Sequence, residues 1–127
     1  HFSIHSVSLM IYNDHSNERQ RSVILSYLQQ GKNCALVSDA GTPLISDPGF
    51  KLVRYLRENS IQIEVLPGPC SLIAALIISG FSTKQFFFAG FLPKLSKAKQ
   101  DELKLLKELN HTLIFFESAK RLVNTLE

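Results

Sequence analysis

Residues 35–49 read ALVSDAGTPLISDPG, and this stretch decides the fold. Cys34, Ala35, Leu36 and Val37 form a short apolar run suited to a buried strand. The run ends in a cluster of turn-forming residues, Ser38 to Gly49, before an amphipathic segment begins. A strand passing through a glycine-containing loop into a helix is the unit from which α/β proteins with parallel strands are built. Asp47 is placed to cap that helix and Pro48 to open it, with Phe50, Val53 and Leu56 expected inward and Arg54, Arg57 and Glu58 outward.

Outward from this stretch the alternation continues. Residues 7–12 read as a strand, 18–30 as a helix with Val23, Ile24, Tyr27 and Leu28 on one face, and 61–66 as a strand ending in Pro67, Gly68 and Pro69. Residues 70–78 are apolar on nearly every side, which predicts a helix buried on several faces. After Gly80 come an aromatic strand, Phe86 to Phe88, with its rings expected in the core, and the turn Gly90-Phe91-Leu92-Pro93. A helix over 98–109, a strand over 112–116 and a helix from Ser118 follow. The change of character predicts a domain boundary near Gly80. Residues 1–80 then form an N-terminal α/β domain without its first strands, and 81–127 the start of a C-terminal α/β domain.

The 127 residues are 45% hydrophobic and 20% charged, a balance that excludes disordered and fibrous classes. The longest apolar run, around 72–78, is far short of the ~20 residues of a membrane-spanning helix, and no secretory pattern opens the chain. A soluble, cytoplasmic protein is expected. Cys34 and Cys70 have neither metal-type spacing nor a second pair, so both are expected to stay reduced. The net charge of +3 suits an anionic partner such as RNA without requiring one. The opening on His1 and the close inside a helical pattern predict a fragment.

In an open parallel sheet, ligands bind at the carboxyl ends of the strands, where helix N-termini offer unpaired N–H groups. Three loops follow expected strands: 38–47, 67–71 and 116–118. In the first, Gly41 lets backbone approach a ligand, and Ser38, Asp39 and Thr42 can hydrogen-bond the hydroxyls or amines of a nucleoside; the same residues also serve as turn and capping groups. In the second, a proline-stiffened turn presents a helix N-terminus to a carboxylate or an adenine edge, or serves packing alone. Asp39 and Asp47 have no third ligand nearby, so no metal site is expected. His1, His5, His15 and His111 pair with no nucleophile, and Cys70, lacking a partner base, reads as a structural thiol. Lys94, Lys97, Lys99, Lys104 and Arg121 form the basic concentration, either an RNA contact or a solvated helix face.

Four strings carry a resemblance over nearly the whole chain: residues 35–49, residues 66–71 (LPGPCS), residues 90–93 (GFLP), and residues 112–118 (TLIFFES) followed by Arg121 and Leu122. Together and in this order they resemble the bacterial ribosomal-RNA small-subunit methyltransferase I family, within the tetrapyrrole-methylase superfamily. The resemblance implies a tetrapyrrole-methylase-like fold of two α/β domains with the cofactor cleft between them, both truncated here. It implies S-adenosylmethionine-dependent methylation of the ribose 2′-hydroxyl of a cytidine in small-subunit ribosomal RNA, by a homodimer.

By the same resemblance, Ser38, Asp39, Ala40, Gly41, Thr42 and Ile45 line the cofactor, Cys70 and Ser71 approach it, and Phe116 and Glu117 close it. Lys94, Lys97, Lys99 and Arg121 are then the RNA contacts. No catalytic base stands out; Asp39 is the candidate for helping to remove the hydroxyl proton. The chain departs from the family pattern in three ways. A Thr-Pro-Ile-Gly-Asn-Leu loop and an acidic Glu-Asp-Thr-Arg segment would precede His1. Ala119-Lys120 stands where the family reads Pro-His, and Lys99-Gln100 where arginines are common. The rival readings are methylation of a small, precorrin-type tetrapyrrole and a non-catalytic truncated remnant. Lacking those segments, the isolated chain is expected to bind cofactor weakly and to turn nothing over.

Overall fold

A computed structural model describes residues 7–13 and 15–127. His1 and His5 lie outside the described residues. The described elements are mixed α/β: α1 (Glu18–Gln29), α2 (Phe50–Glu58), α3 (Ser71–Ile78), β1 (Phe86–Phe91), α4 (Ser96–Leu106), β2 (Thr112–Phe116) and α5 (Ala119–Leu126). The chain divides into two compact units, one up to Gly68 and one from Pro69. The sequence reading placed its boundary near Gly80; by compactness α3 groups with the strands that follow it.

In the first unit, α1 starts at Asn17, whose Oδ1 accepts the Gln20 N–H at 3.0 Å. This cap satisfies one of the donors that a first helical turn leaves over. Ile24 and Leu25 of α1 form the core with Leu52 and Leu56 of α2, and Tyr12, Leu28, Tyr55 and Ile61 pack around them. Leu52 and Leu56 are four residues apart and so share one helical face. The expected inward face of α2 is corrected accordingly: Leu56 is buried, but Phe50 is 61% exposed and Val53 only half-buried.

The start of α2 is a second correction. It opens at Phe50 with Gly49 as its N-cap, so Asp47 does not cap it and Pro48 does not occupy its first position. Leu44 and Ser46, at φ 74° and 56°, keep the backbone in left-handed turn conformation, which delays the helix until Gly49. Residues 7–12, 33–37 and 61–66, expected as strands, belong to no ladder among the described residues. An apolar run supplies the preference for a strand but not the hydrogen-bonded neighbour that makes one.

In the second unit, β1 and β2 pair in parallel, as expected of an α/β chain, with α4 as the connection between them. The register runs from Phe86 opposite Thr112 to Phe88 opposite Ile114, then resumes with Gly90 opposite Phe115 and Phe91 opposite Phe116. Ala89 is the extra residue of a bulge, which re-aims the carboxyl end of β1. The Phe88 and Phe116 rings meet edge to face at 4.8 Å. Phe86 and Phe87, expected in the core, are 40% and 41% exposed, because successive residues point to opposite faces and two strands cover neither fully.

The apolar α3 is likewise more open than its composition suggests. It lies beside β2 and buries Leu72 and Leu76, one stripe at helical spacing, while Ile77 and Ile78 are exposed. No described helix is long and apolar enough to cross a membrane. Both cysteines are free thiols.

Candidate functional site

The loop after the extended segment 33–37 is an open, polar surface. Asp39, Ala40 and Gly41 are exposed, Ser38 and Thr42 half-buried, and Ile45 offers an apolar side chain that is 42% exposed. The turn is closed from within: the Ser38 hydroxyl donates to the Gly41 carbonyl at 3.1 Å, with the Ala40 carbonyl at 3.4 Å. Gly41 has φ 77°, a conformation that L side chains rarely adopt, and the bare backbone there is open to a close ligand. A Cβ built on Gly68 would lie 3.6 Å from Thr42 Oγ1. Within the first unit, the turn at 66–68 therefore comes alongside Thr42 of the 38–42 loop.

In the second unit the half-buried Cys70 is the N-cap of α3 and the exposed Ser71 its first residue, as the rigid turn predicts. The third loop, after β2, is built differently from what the sequence suggested. Glu117 does not open toward solvent: its side chain is 8% exposed and its carboxylate is engaged at both oxygens. Oε1 accepts the Ser118 N–H at 2.7 Å, and Oε2 accepts the Thr125 hydroxyl at 2.9 Å and lies 3.1 Å from Arg121 Nη2. Burial opposes ionisation, but the Ser118 N–H, the Thr125 hydroxyl and the Arg121 charge outweigh it and hold the carboxyl below its ordinary range.

Arg121 reaches further. Its Nη2 also donates to the carbonyls of Leu92 at 2.9 Å and Pro93 at 3.4 Å, in the turn that follows β1. Thr125 and these two carbonyls are partners that sequence reasoning missed. The available signal was spacing, since Glu117, Arg121 and Thr125 recur every four residues along one helical face.

The basic residues separate into two kinds. Lys94 and Lys97 are exposed on the turn and first helical turn after β1. Lys99 instead donates from Nζ to the Asn124 carbonyl at 2.8 Å, tying α4 to the last turn of α5. An open concavity of about 440 Å³ lies at the amino ends of the strands, with Phe81, Lys84, His111 and Thr112 in its walls. It is at the opposite end of β1 and β2 from Phe91 and Phe116. Among the described residues, no three His, Cys, Asp or Glu side chains gather in a metal-holding group.

The described elements are mixed α/β with a parallel strand pair, and residues 7–127 match the family Tetrapyrrole (Corrin/Porphyrin) Methylases. The chain belongs to that family. Within it, the chain is similar to proteins named ribosomal RNA small subunit methyltransferase I. It is 51% identical over 90% of its length to the Haemophilus influenzae protein, 52% over 93% to that of Rickettsia prowazekii, and 47% over its full length to that of Escherichia coli O157:H7. It spans 40%, 42% and 44% of those relatives' own lengths.

Proposed function

We propose that the chain is part of an S-adenosylmethionine-dependent methyltransferase that modifies the ribose 2′-hydroxyl of a cytidine in small-subunit ribosomal RNA. The observation that carries the reading is the exposed 38–42 loop, with its left-handed glycine set beside the Gly68 turn. The residues present fit the cofactor. The exposed Asp39 carboxylate can accept ribose hydroxyls or the amino group, bare backbone at Gly41 permits close approach, and Ile45 offers an apolar surface to the adenine. When bound, S-adenosylmethionine supplies an electrophilic methyl group on its sulfonium. What the chain has to do is align donor and acceptor and keep water out.

Family resemblance extends the proposal to the whole enzyme: a cytoplasmic homodimer of two-domain subunits, with residues 1–80 in one domain, 81–127 in the next and the cofactor in the cleft between them. Cys70, Ser71 and Phe116 belong to the proposed cofactor surface. Glu117, whose carboxylate is already engaged, contributes through its backbone. Asp39 is also the candidate group for drawing the proton from the ribose hydroxyl. On the RNA side the proposal rests on Lys94 and Lys97, which are exposed, ahead of Lys99 and Arg121, which hold backbone carbonyls of their own unit.

The test is calorimetric titration of the folded chain with S-adenosylhomocysteine, with folding checked by circular dichroism. Saturable binding that Asp39→Ala weakens without altering the dichroism supports the reading. No binding by a folded chain overturns it for this chain and favours the non-catalytic alternative.

A further inference from the structure

One side chain, Arg121, touches the loops after both strands. Phe91 and Phe116 are partners in the parallel register, so Leu92 and Pro93 on one side and Glu117 on the other continue from adjacent strand ends. The Arg121 guanidinium bridges them with a single nitrogen, 2.9 Å from the Leu92 carbonyl, 3.4 Å from that of Pro93 and 3.1 Å from Glu117 Oε2. Thr125 and the Ser118 N–H hold the carboxylate from its other sides, so the acceptor is itself fixed. We infer that Arg121 is a positioning residue: with Glu117 as its anchor it latches the Gly90–Pro93 turn to the loop after β2, setting the spacing of the two strand ends, of which Phe116 and Glu117 belong to the proposed cofactor surface.

This differs from the role that the basic character of Arg121 suggested. A phosphate contact needs the charge free at the surface, whereas the Arg121 guanidinium is committed to acceptors of its own chain. The latch needs one nitrogen held within reach of two carbonyls and a carboxylate at once; in Arg121 that nitrogen belongs to a rigid, pre-organised guanidinium, so less side-chain freedom is lost in placing it than with an ammonium on a flexible stem. After the bulge at Ala89 the ladder resumes only for Gly90 opposite Phe115 and Phe91 opposite Phe116, and Arg121 continues the tie beyond it, to Leu92 and Pro93.

The inference rests on the proposed cofactor reading for what the latch serves, but not for the latch itself, and two measurements on the same variants keep them apart. The first is backbone relaxation by nuclear magnetic resonance. In Arg121→Ala, Arg121→Lys and Glu117→Gln, the order parameters of residues 91–94 and 117–118 are expected to fall from about 0.85 toward 0.6, while Lys107→Ala leaves them unchanged. The second is titration with S-adenosylhomocysteine, where those three variants are expected to lose about tenfold in affinity, the scale of a lost charged hydrogen bond. Rescue of both readouts by Arg121→Lys overturns the requirement for a guanidinium. Loosened loops with unchanged affinity overturn the positioning role and leave a purely structural tie. If the unsubstituted chain does not bind the probe, the cofactor reading fails, and the relaxation data alone decide whether the latch exists.

Discussion

Gly49 and Leu36 stand so close that a Cβ on the glycine would lie 2.7 Å from Leu36 Cδ2. Gly49 is buried, has φ 134°, and is the hinge on which the 38–48 loop turns into α2. Leu36 can swing its methyl aside, but no L side chain relieves the backbone angle. Gly49→Ala is therefore expected to cost about 1–3 kcal/mol, the scale of a strained backbone position. Urea unfolding followed by circular dichroism measures it. A loss below ~0.5 kcal/mol would show that the turn relaxes to a different conformation.

Leu52, 5% exposed, and Phe50, 61% exposed, sit on the same helix and give opposite expectations. Leu52→Ala removes a core side chain shared with Ile24, Leu25 and Leu56 and is expected to destabilise by about 2–5 kcal/mol. Phe50→Ala is expected to stay within about 0.5 kcal/mol, as for a surface substitution. The two midpoints in one denaturant series settle which face of α2 is inward.

That pair shows where the sequence was legible and where it was not. The five helices and the aromatic and C-terminal strands were readable because periodicity, turn residues and glycines act locally. The inward face of α2 was not, because in nine residues Phe50-Val53-Leu56 and Leu52-Leu56 both fit helical spacing, and only the partner α1 chooses between them. Residues 33–37 and 61–66 failed for the same reason: strand character is completed by a neighbour that the run itself does not encode. In the site, the exposed 38–42 loop was legible as a concentration of polar and glycine residues. The engagement of Glu117 by Thr125 and Arg121 left only its four-residue spacing as a signal, because charge in a sequence does not say whether it faces solvent or its own chain.

Glu117 also gives a pH dependence of definite sign. Its carboxyl is held below the ordinary value of 4.5, so the folded chain binds its proton less readily than the unfolded chain does. The resulting stabilisation is fully present above the unfolded value and is lost as pH falls through the folded one. Glu117→Gln removes this dependence. The stability gap between the unsubstituted chain and Glu117→Gln should be constant above about pH 4.5 and shrink below it, as read from urea midpoints at a series of pH values. A gap that does not change with pH would mean that the carboxylate's charge contributes nothing to the network.

The division of the basic residues makes the last prediction, and salt is the means of reading it. A lysine that neutralises a phosphate releases a counterion, so its loss flattens the dependence of log affinity on log salt by about 0.7 for a single strand. Lys97 is exposed on the first turn of α4, whereas the Arg121 guanidinium is turned to Leu92, Pro93 and Glu117. With a single-stranded oligoribonucleotide of small-subunit sequence, Lys97→Ala is expected to reduce the slope by that amount, and Arg121→Ala to leave the slope unchanged even where it lowers affinity at every salt concentration. Fluorescence anisotropy between about 50 and 200 mM salt resolves the two, because a factor of four in salt turns 0.7 in slope into a difference of nearly threefold in affinity. Equal slopes for Lys97→Ala and the unsubstituted chain would remove Lys97 from the RNA surface, and a flattened slope for Arg121→Ala would return Arg121 to it.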